Sequence, residues 1–161
     1  MTTQPSRSFG RCSARTPEAG DRAFLSALYL ACRPDLGALP VPRSVIEGIA
    51  RHQEGLRDAG YAVRYPHLQS WLLEDGGRPV AWVLLARMDG GVRVVDLAVD
   101  VGQRRKGVAR AVLHALQSEE AAIELRVRTG NEVARALYAS LGFRAVGDQG
   151  EALEMCWSRN W

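Results

Sequence analysis

The residues best suited to chemistry lie between positions 94 and 109. An apolar run that includes Leu97, Ala98 and Val99 is followed by a short basic loop, Arg104, Arg105 and Lys106. Gly107, Val108 and Ala109 then open an apolar-periodic segment. A strand, a basic loop and a helix in that order form an anion site. The first helical turn has backbone N–H groups without intrahelical partners, and the helix dipole favours negative charge there. Gly107 lets a phosphate approach the backbone, and the three cations add to the attraction. Taken alone, this short motif is equally a strand–loop–helix turn whose cations are solvated.

A second segment adds specificity. Residues 123–128 alternate apolar and charged side chains, as a strand with one buried face does. Residues 129–131 break it. Residues 132–141 then read as a helix with Val133, Ala134, Leu137 and Leu141 on its apolar face and Gly142 as C-cap. The stretch from Asn131 through Tyr138 to Phe143 resembles the closing motif of the GNAT superfamily, the acetyl-coenzyme A-dependent N-acetyltransferases. The family's phosphate-binding pattern is Arg or Gln, two residues, Gly, one residue, then Gly or Ala. Arg104, Gly107 and Ala109 satisfy it in order. Two motifs at family-like spacing are far more specific than either alone, and the resemblance runs from about Phe9 to the C-terminus. Val101 stands where the family's loop usually has Pro, a substitution expected to be tolerated in an extended position.

The remaining elements fit around these motifs. Residues 1–7 are polar and expected to be loose. Residues 9–14 read as a first strand. Thr16 is a candidate N-cap with Pro17 at the first helical position, and Pro34 stops that helix near Arg33. Residues 36–42 read as a loop. A second helix starts at Arg43 or Ser44, carries Val45, Ile46, Ile49 and Leu56, and is expected to end at Gly60. Residues 69–74, 80–87 and 92–100 form an antiparallel meander, its first hairpin turning at Asp75-Gly76-Gly77-Arg78. The helix from Val108 has Val112, Ala115 and Leu116 on one stripe. The strand at Ile123 follows a crossover helix, so it should run parallel to the strand at Val92. Residues 144–146 and 152–157 are the last strands. The expected architecture is α/β (α+β): the GNAT fold, a central mixed, mostly antiparallel sheet of six to seven strands flanked by about four helices. Residues 1–161 are read as one such domain.

Composition narrows the function classes. The chain has 161 residues, 47% hydrophobic and 24% charged, with a formal net charge of +3. No apolar run approaches the roughly 20 residues that span a bilayer, so no membrane partner is expected, and with no signal-like N-terminus the expected location is cytoplasmic. The three cysteines, Cys12, Cys32 and Cys156, and the three histidines have neither disulfide-framework nor metal-ligand spacing, so no metal is expected. The arginines are dispersed, and the one local basic cluster is Arg104 to Lys106, which argues against a nucleic-acid partner.

The resemblance implies a mechanism in which acetyl-CoA is co-substrate and an amine attacks directly in a ternary complex. It implies that the pantetheine arm pairs with the backbone of Leu97, Ala98 and Val99, and that Arg104, Arg105, Lys106, Gly107, Val108 and Ala109 wrap the pyrophosphate. It implies that Asn131 contacts coenzyme A and that Tyr138 donates a proton to the departing thiolate. Tyr138 also reads as a core aromatic, and Asn131 as an N-cap. The general base is open: Glu74 is a candidate at a strand end, Asp96 reads as a buried structural carboxylate, and Tyr65 and His67 precede the meander. The acceptor site should involve residues 33–43, 60–68 and 148–150, with Tyr61, Tyr65, His67 and Trp71 as lining or core aromatics. Two alternatives stand beside an N-acetyltransferase of small-molecule or protein amines. One is a non-catalytic acyl-CoA sensing module; the other is a basic nucleic-acid-binding domain. Homodimers are common in the family, and no residue here establishes one.

Overall fold

The computed structural model describes residues 6–161. The expectation of a loose terminus falls largely on residues outside that range, but Arg7 is already in a strand. The expected first strand is a hairpin. β1 (Arg7–Phe9) turns at Gly10, where φ is +60°, and pairs antiparallel with β2 (Cys12–Arg15). The helix expected to start at Thr16 starts later, with a 3-10 turn at Ala19–Asp21 leading into α1 (Arg22–Ala31). The capping carboxylate is Asp21, which accepts from the Glu18 N–H at 2.7 Å. The Arg15 guanidinium beside it lowers the Asp21 pKa to about 2.

Pro34 ends α1 but is also the first residue of a short helix, α2 (Pro34–Gly37), inside the segment read as a loop. Leu36 anchors that turn by packing with Ile46 and Ala50. The long α3 (Arg43–Arg64) runs through Gly60. A helical glycine costs about 1 kcal/mol relative to Ala. The next residue, Tyr61, packs against Trp82 and Leu84 on the sheet, and this tertiary contact carries the helix onward. Of the residues expected on its apolar stripe, Ile46 is buried, but Val45 and Leu56 are exposed, and Ala50 joins Ile46 in the core.

The meander is as expected: β3 (Leu68–Asp75), β4 (Arg78–Met88) and β5 (Gly91–Val99), all antiparallel. Gly76 and Gly77, both at positive φ, make the tight turn between β3 and β4. A 3-10 turn at Val101–Gln103 leads to α4 (Val108–Glu119), so Val101 is helical rather than extended. β6 (Ala122–Arg128), α5 (Glu132–Ser140), β7 (Arg144–Asp148) and β8 (Ala152–Ser158) complete the chain. The eight-stranded sheet has the order β1-β2-β3-β4-β5-β6-β8-β7, and β5–β6 is its parallel pair. The class is the expected one, with one more strand and one more helix than anticipated.

Two layers of helix cover the sheet. α4 inserts Val108, Val112, Leu113 and Leu116 into the main core, where Ala134, Leu137 and Tyr138 of α5 also pack. Val133 does not join them; it is 71% exposed. The other sheet face carries Trp82, Leu84 and Ala98 against Leu28 of α1. No described helix is long and apolar enough to cross a membrane.

Two irregularities shape the centre of the sheet. Along β4 the register shifts between Leu84, opposite Asp96, and Leu85, opposite Val94, so Val95 is an extra, bulged residue. Beyond that point β5 and β6 separate: their pairing is confined to Val92–Ile123, Arg93–Glu124 and Val94–Leu125. Before it, the two strands are pressed together at Gly91, where a Cβ would lie 2.2 Å from the Ala122 carbonyl oxygen. Gly91→Ala is therefore expected to destabilise the fold by about 2–3 kcal/mol in urea unfolding, because backbone must shift to admit the methyl.

Candidate active site

Where β5 and β6 part, their facing backbones frame a groove of about 530 Å³. Residues 94–98 form one wall and residues 125–128 the other, with Asn131 and Tyr138 of α5 at the junction. α1 contributes Tyr29, its C-cap is Cys32, and α3 contributes Arg57 and Tyr61. Past Val94 the β6-side edge of β5 has no partner strand, so its backbone polar groups are open to a ligand that lies along it.

The basic loop lies beyond the C-terminal end of β5. Arg104 donates from Nε to the Val99 carbonyl at 3.2 Å, tying the loop to the strand it leaves. Arg105 and Gly107 both sit at positive φ, +62° and +81°, and Gly107 is the N-cap of α4. No side chain caps that helix end, so its first N–H groups point outward among the loop cations. A Cβ on Gly107 would meet no protein atom within 4 Å, as expected of a backbone that faces open space.

Asp96 and Tyr138 carry the groove's titratable chemistry. Burial pushes the Asp96 carboxyl up, while nearby Arg57, the Tyr61 hydroxyl and the Leu97 N–H pull it down. Its Oδ2 accepts from the Tyr61 hydroxyl at 3.3 Å and lies 3.7 Å from the Arg57 guanidinium. Tyr61 is pushed up to about 12 by burial and the Asp96 charge. Burial also raises Tyr138, with a contribution from Asp96 across the groove. Tyr138 therefore keeps its proton at neutral pH, and its ring is fixed against Phe143 at 5.8 Å between centroids.

Asn131 is the N-cap of α5: its side-chain oxygen accepts from the Ala134 N–H at 3.1 Å. That bond orients the side chain and leaves its NH₂ for the groove, so capping and ligand contact are compatible.

The model of the acetyltransferase (GNAT) family matches residues 19–143. The chain belongs to the GNAT acetyltransferase family. Mycothiol acetyltransferase of Clavibacter michiganensis is 40% identical over 68 residues, covering 41% of this GNAT chain and 22% of that protein. The chain thus spans about a fifth of that relative's length. The GNAT fold recurs in solved structures at low identity. PaiA N-acetyltransferase of Thermoplasma acidophilum, solved in complex with coenzyme A, has a TM-score of 0.66 at 13% identity, covering 91% of this chain and 98% of that one. Ribosomal-protein-S18-alanine N-acetyltransferase of Escherichia coli has a TM-score of 0.57 at 23% identity, covering 91% and 93%.

Within this GNAT chain the structure gathers some of the sequence candidates and separates others. Leu97, Ala98, Asn131 and Tyr138 line the groove, and Val99 lies just beyond it. Arg104, Arg105, Lys106, Gly107, Val108 and Ala109 form the loop and helix start. Glu74 is not brought to the groove. Its carboxylate is held by Arg15 at 2.9 Å, in the network that also binds Asp21. Trp71 is in the main core, and His67 is exposed outside the groove, whereas Tyr61 and Tyr65 line the α3 side. Sequence reasoning missed Arg57, Arg126 and Arg128. The available signals were the Arg57–Tyr61 helical spacing and the i, i+2 spacing of Arg126 and Arg128 on the polar face of a strand.

Proposed function

We propose that this protein transfers an acetyl group from acetyl-CoA to a primary amine of a small molecule or protein, by direct attack within a ternary complex. The observation that carries the reading is the splay of β5 from β6 past Val94, followed by a basic loop that ends at an uncapped helix start. The open β5 edge from Val95 to Val99 suits an extended pantetheine chain, and the 104–109 loop suits a pyrophosphate. When bound, acetyl-CoA supplies the activated acetyl group and a thiolate leaving group.

The chain's own groups then divide the proton work. An alkylamine with a pKa of about 10.4 arrives mostly as ammonium, so a proton must leave before nitrogen can attack. Asp96 is the groove carboxylate suited to take it, because burial makes it a stronger base than an exposed aspartate. The N–C bond forms as the C–S bond breaks. The sulfur leaves with the bonding pair and receives a proton from Tyr138, which is replaced by the second nitrogen proton. The net release is one proton to solvent. A backbone N–H on the open β5 edge steadies the carbonyl oxygen.

Asp96→Asn is expected to lower kcat/KM about 100-fold, typical of losing a general base. The sign of the pH effect follows from the active form. Wild-type kcat/KM should rise with pH through the raised Asp96 pKa, and that limb should vanish in the variant. Retention of the limb assigns Asp96 to structure. The reaction itself is tested by following thiol release from acetyl-CoA with a panel of primary amines; release that depends on both substrates, with mass spectrometry showing an acetylated amine, supports the reading. Tight acyl-CoA binding without turnover for any amine favours the sensing module. A location in the cytoplasm and a homodimeric assembly are part of the same proposal, to be read by fractionation and by mass in solution.

A further inference from the structure

A second cleft, about 710 Å³, opens off the groove between the C-terminal half of α3 and the sheet. Arg57, Tyr61, Val95, Arg126 and Arg128 line both. The sequence builds it simply. On α3, Arg57, Tyr61 and Arg64 are spaced four and three apart and share one helix face. On β6, Ile123, Leu125 and Val127 face the core, which sends Glu124, Arg126 and Arg128 to the opposite face. Arg93 of β5 joins them, opposite Glu124 in the parallel register.

The charges in this cleft do not balance. Arg93 is bound to both oxygens of Glu154 at 3.0 Å and to Glu124 at 3.3 Å. Arg57 is bound to Asp58 at 2.8 Å and faces Asp96 at 3.7 Å. Among the described residues, Arg64, Arg126 and Arg128 have no carboxylate partner; Arg64 has the Tyr65 ring at 5.7 Å. Glu151 is the single acidic residue that lines the cleft. Three arginines that line one cleft without a carboxylate partner leave it net positive, and an anion there offsets that charge while accepting paired N–H donors. The anion is not the pyrophosphate of the first motif. The cleft meets β5 at Arg93 and Val95, whereas the basic loop begins after Val99, about 13–20 Å farther along an extended strand; Arg128, three residues past the Val94–Leu125 pair, is the cleft arginine nearest that loop.

We propose that the acceptor is an anionic amine: a primary amine that also carries a carboxylate or phosphate, held by Arg64, Arg126 and Arg128 while the amine enters the groove beside Asp96. This rests on the acetyltransferase reading above. It also means that polycationic amines are repelled.

The test compares matched amines in the thiol-release assay: ethanolamine against O-phosphoethanolamine, propylamine against β-alanine, and spermidine as the polycation. A short peptide with an acidic N-terminal segment is compared with its neutral counterpart. The expected kcat/KM is at least about tenfold higher for the anionic member of each small-molecule pair, or of the peptide pair, with the preference weakening as salt rises. In Arg64→Glu and Arg126→Glu that preference ratio is expected to fall by about tenfold or more, and in Arg126→Lys to fall less. Acetyl-CoA titration of each variant shows that it is folded. Preference for the anionic peptide alone supports the proposal and assigns the acceptor to proteins. Equal or better use of neutral amines or spermidine overturns the proposal and leaves the acetyltransferase reading intact. Absence of both acetyl-CoA binding and turnover in the folded wild type overturns both.

Discussion

Gly107→Glu is expected to weaken acetyl-CoA binding by about 100-fold or more, read by calorimetric titration. Gly107 is the N-cap of α4 at φ +81°, and its Cα faces space free of protein. A Cβ there meets no neighbouring atom within 4 Å, so the loss is expected from the ligand's side. A carboxylate within about 4 Å of a phosphate costs on the order of 4 kcal/mol at an effective dielectric of 20, and solvent screening leaves part of that. The left-handed backbone adds about 1–2 kcal/mol of strain for most non-glycine residues. Gly107→Asn separates the two effects, because asparagine tolerates this conformation and carries no charge. The asparagine variant should bind within a few-fold of wild type. Equal affinity in the glutamate variant would remove the phosphate from this loop.

Tyr138→Phe is expected to lower kcat about 10- to 100-fold while acetyl-CoA affinity stays near wild type. The upper bound follows from the proton energetics. Tyr138 is raised above its ordinary value by burial, and a thiol has a pKa near 8.5, so proton transfer to sulfur is uphill until the second nitrogen proton replaces the one Tyr138 gives up. The hydroxyl therefore helps chiefly by donating to the charge that builds on sulfur, and an ordinary alkyl thiolate needs less help than an alkoxide would. Removing one such donor falls at the lower end of general acid effects. The ring contact with Phe143 survives the substitution, which keeps α5 in place. A variant with wild-type kcat would show either that Tyr138 only packs or that thiolate departure is not limiting.

Much of the architecture was readable from periodicity. The meander, the crossover helix and the parallel placement of β6 followed from local pattern and connection rules, because each strand's partners lie close in sequence. The loop-to-helix turn over residues 104–109 was readable because helix start, glycine and cations are contiguous. Departures came from contacts that span the chain. Glu74 looked free at a strand end until Arg15, 59 positions away, took its carboxylate. α3 passes Gly60 because Tyr61 has a partner, Asp96, 35 positions later. The β1–β2 hairpin was hidden because strands of three and four residues are too short for alternation to show a break at Gly10. Val133 shares its helical spacing with core residues but falls on the outer edge of a nine-residue helix. The arginine cleft depends on α3, β5 and β6 meeting, which no window of sequence contains.

The opening between β5 and β6, together with the 104–109 loop, is proposed to hold acetyl-CoA. Calorimetric titration of the folded protein with acetyl-CoA, repeated with 3′-dephospho-acetyl-CoA and with longer acyl-CoAs, tests it most directly. Saturable one-site binding in the micromolar range is expected, retained when the 3′-phosphate is removed if the loop grips the pyrophosphate. Absence of binding to a protein shown by circular dichroism to be folded would contradict it.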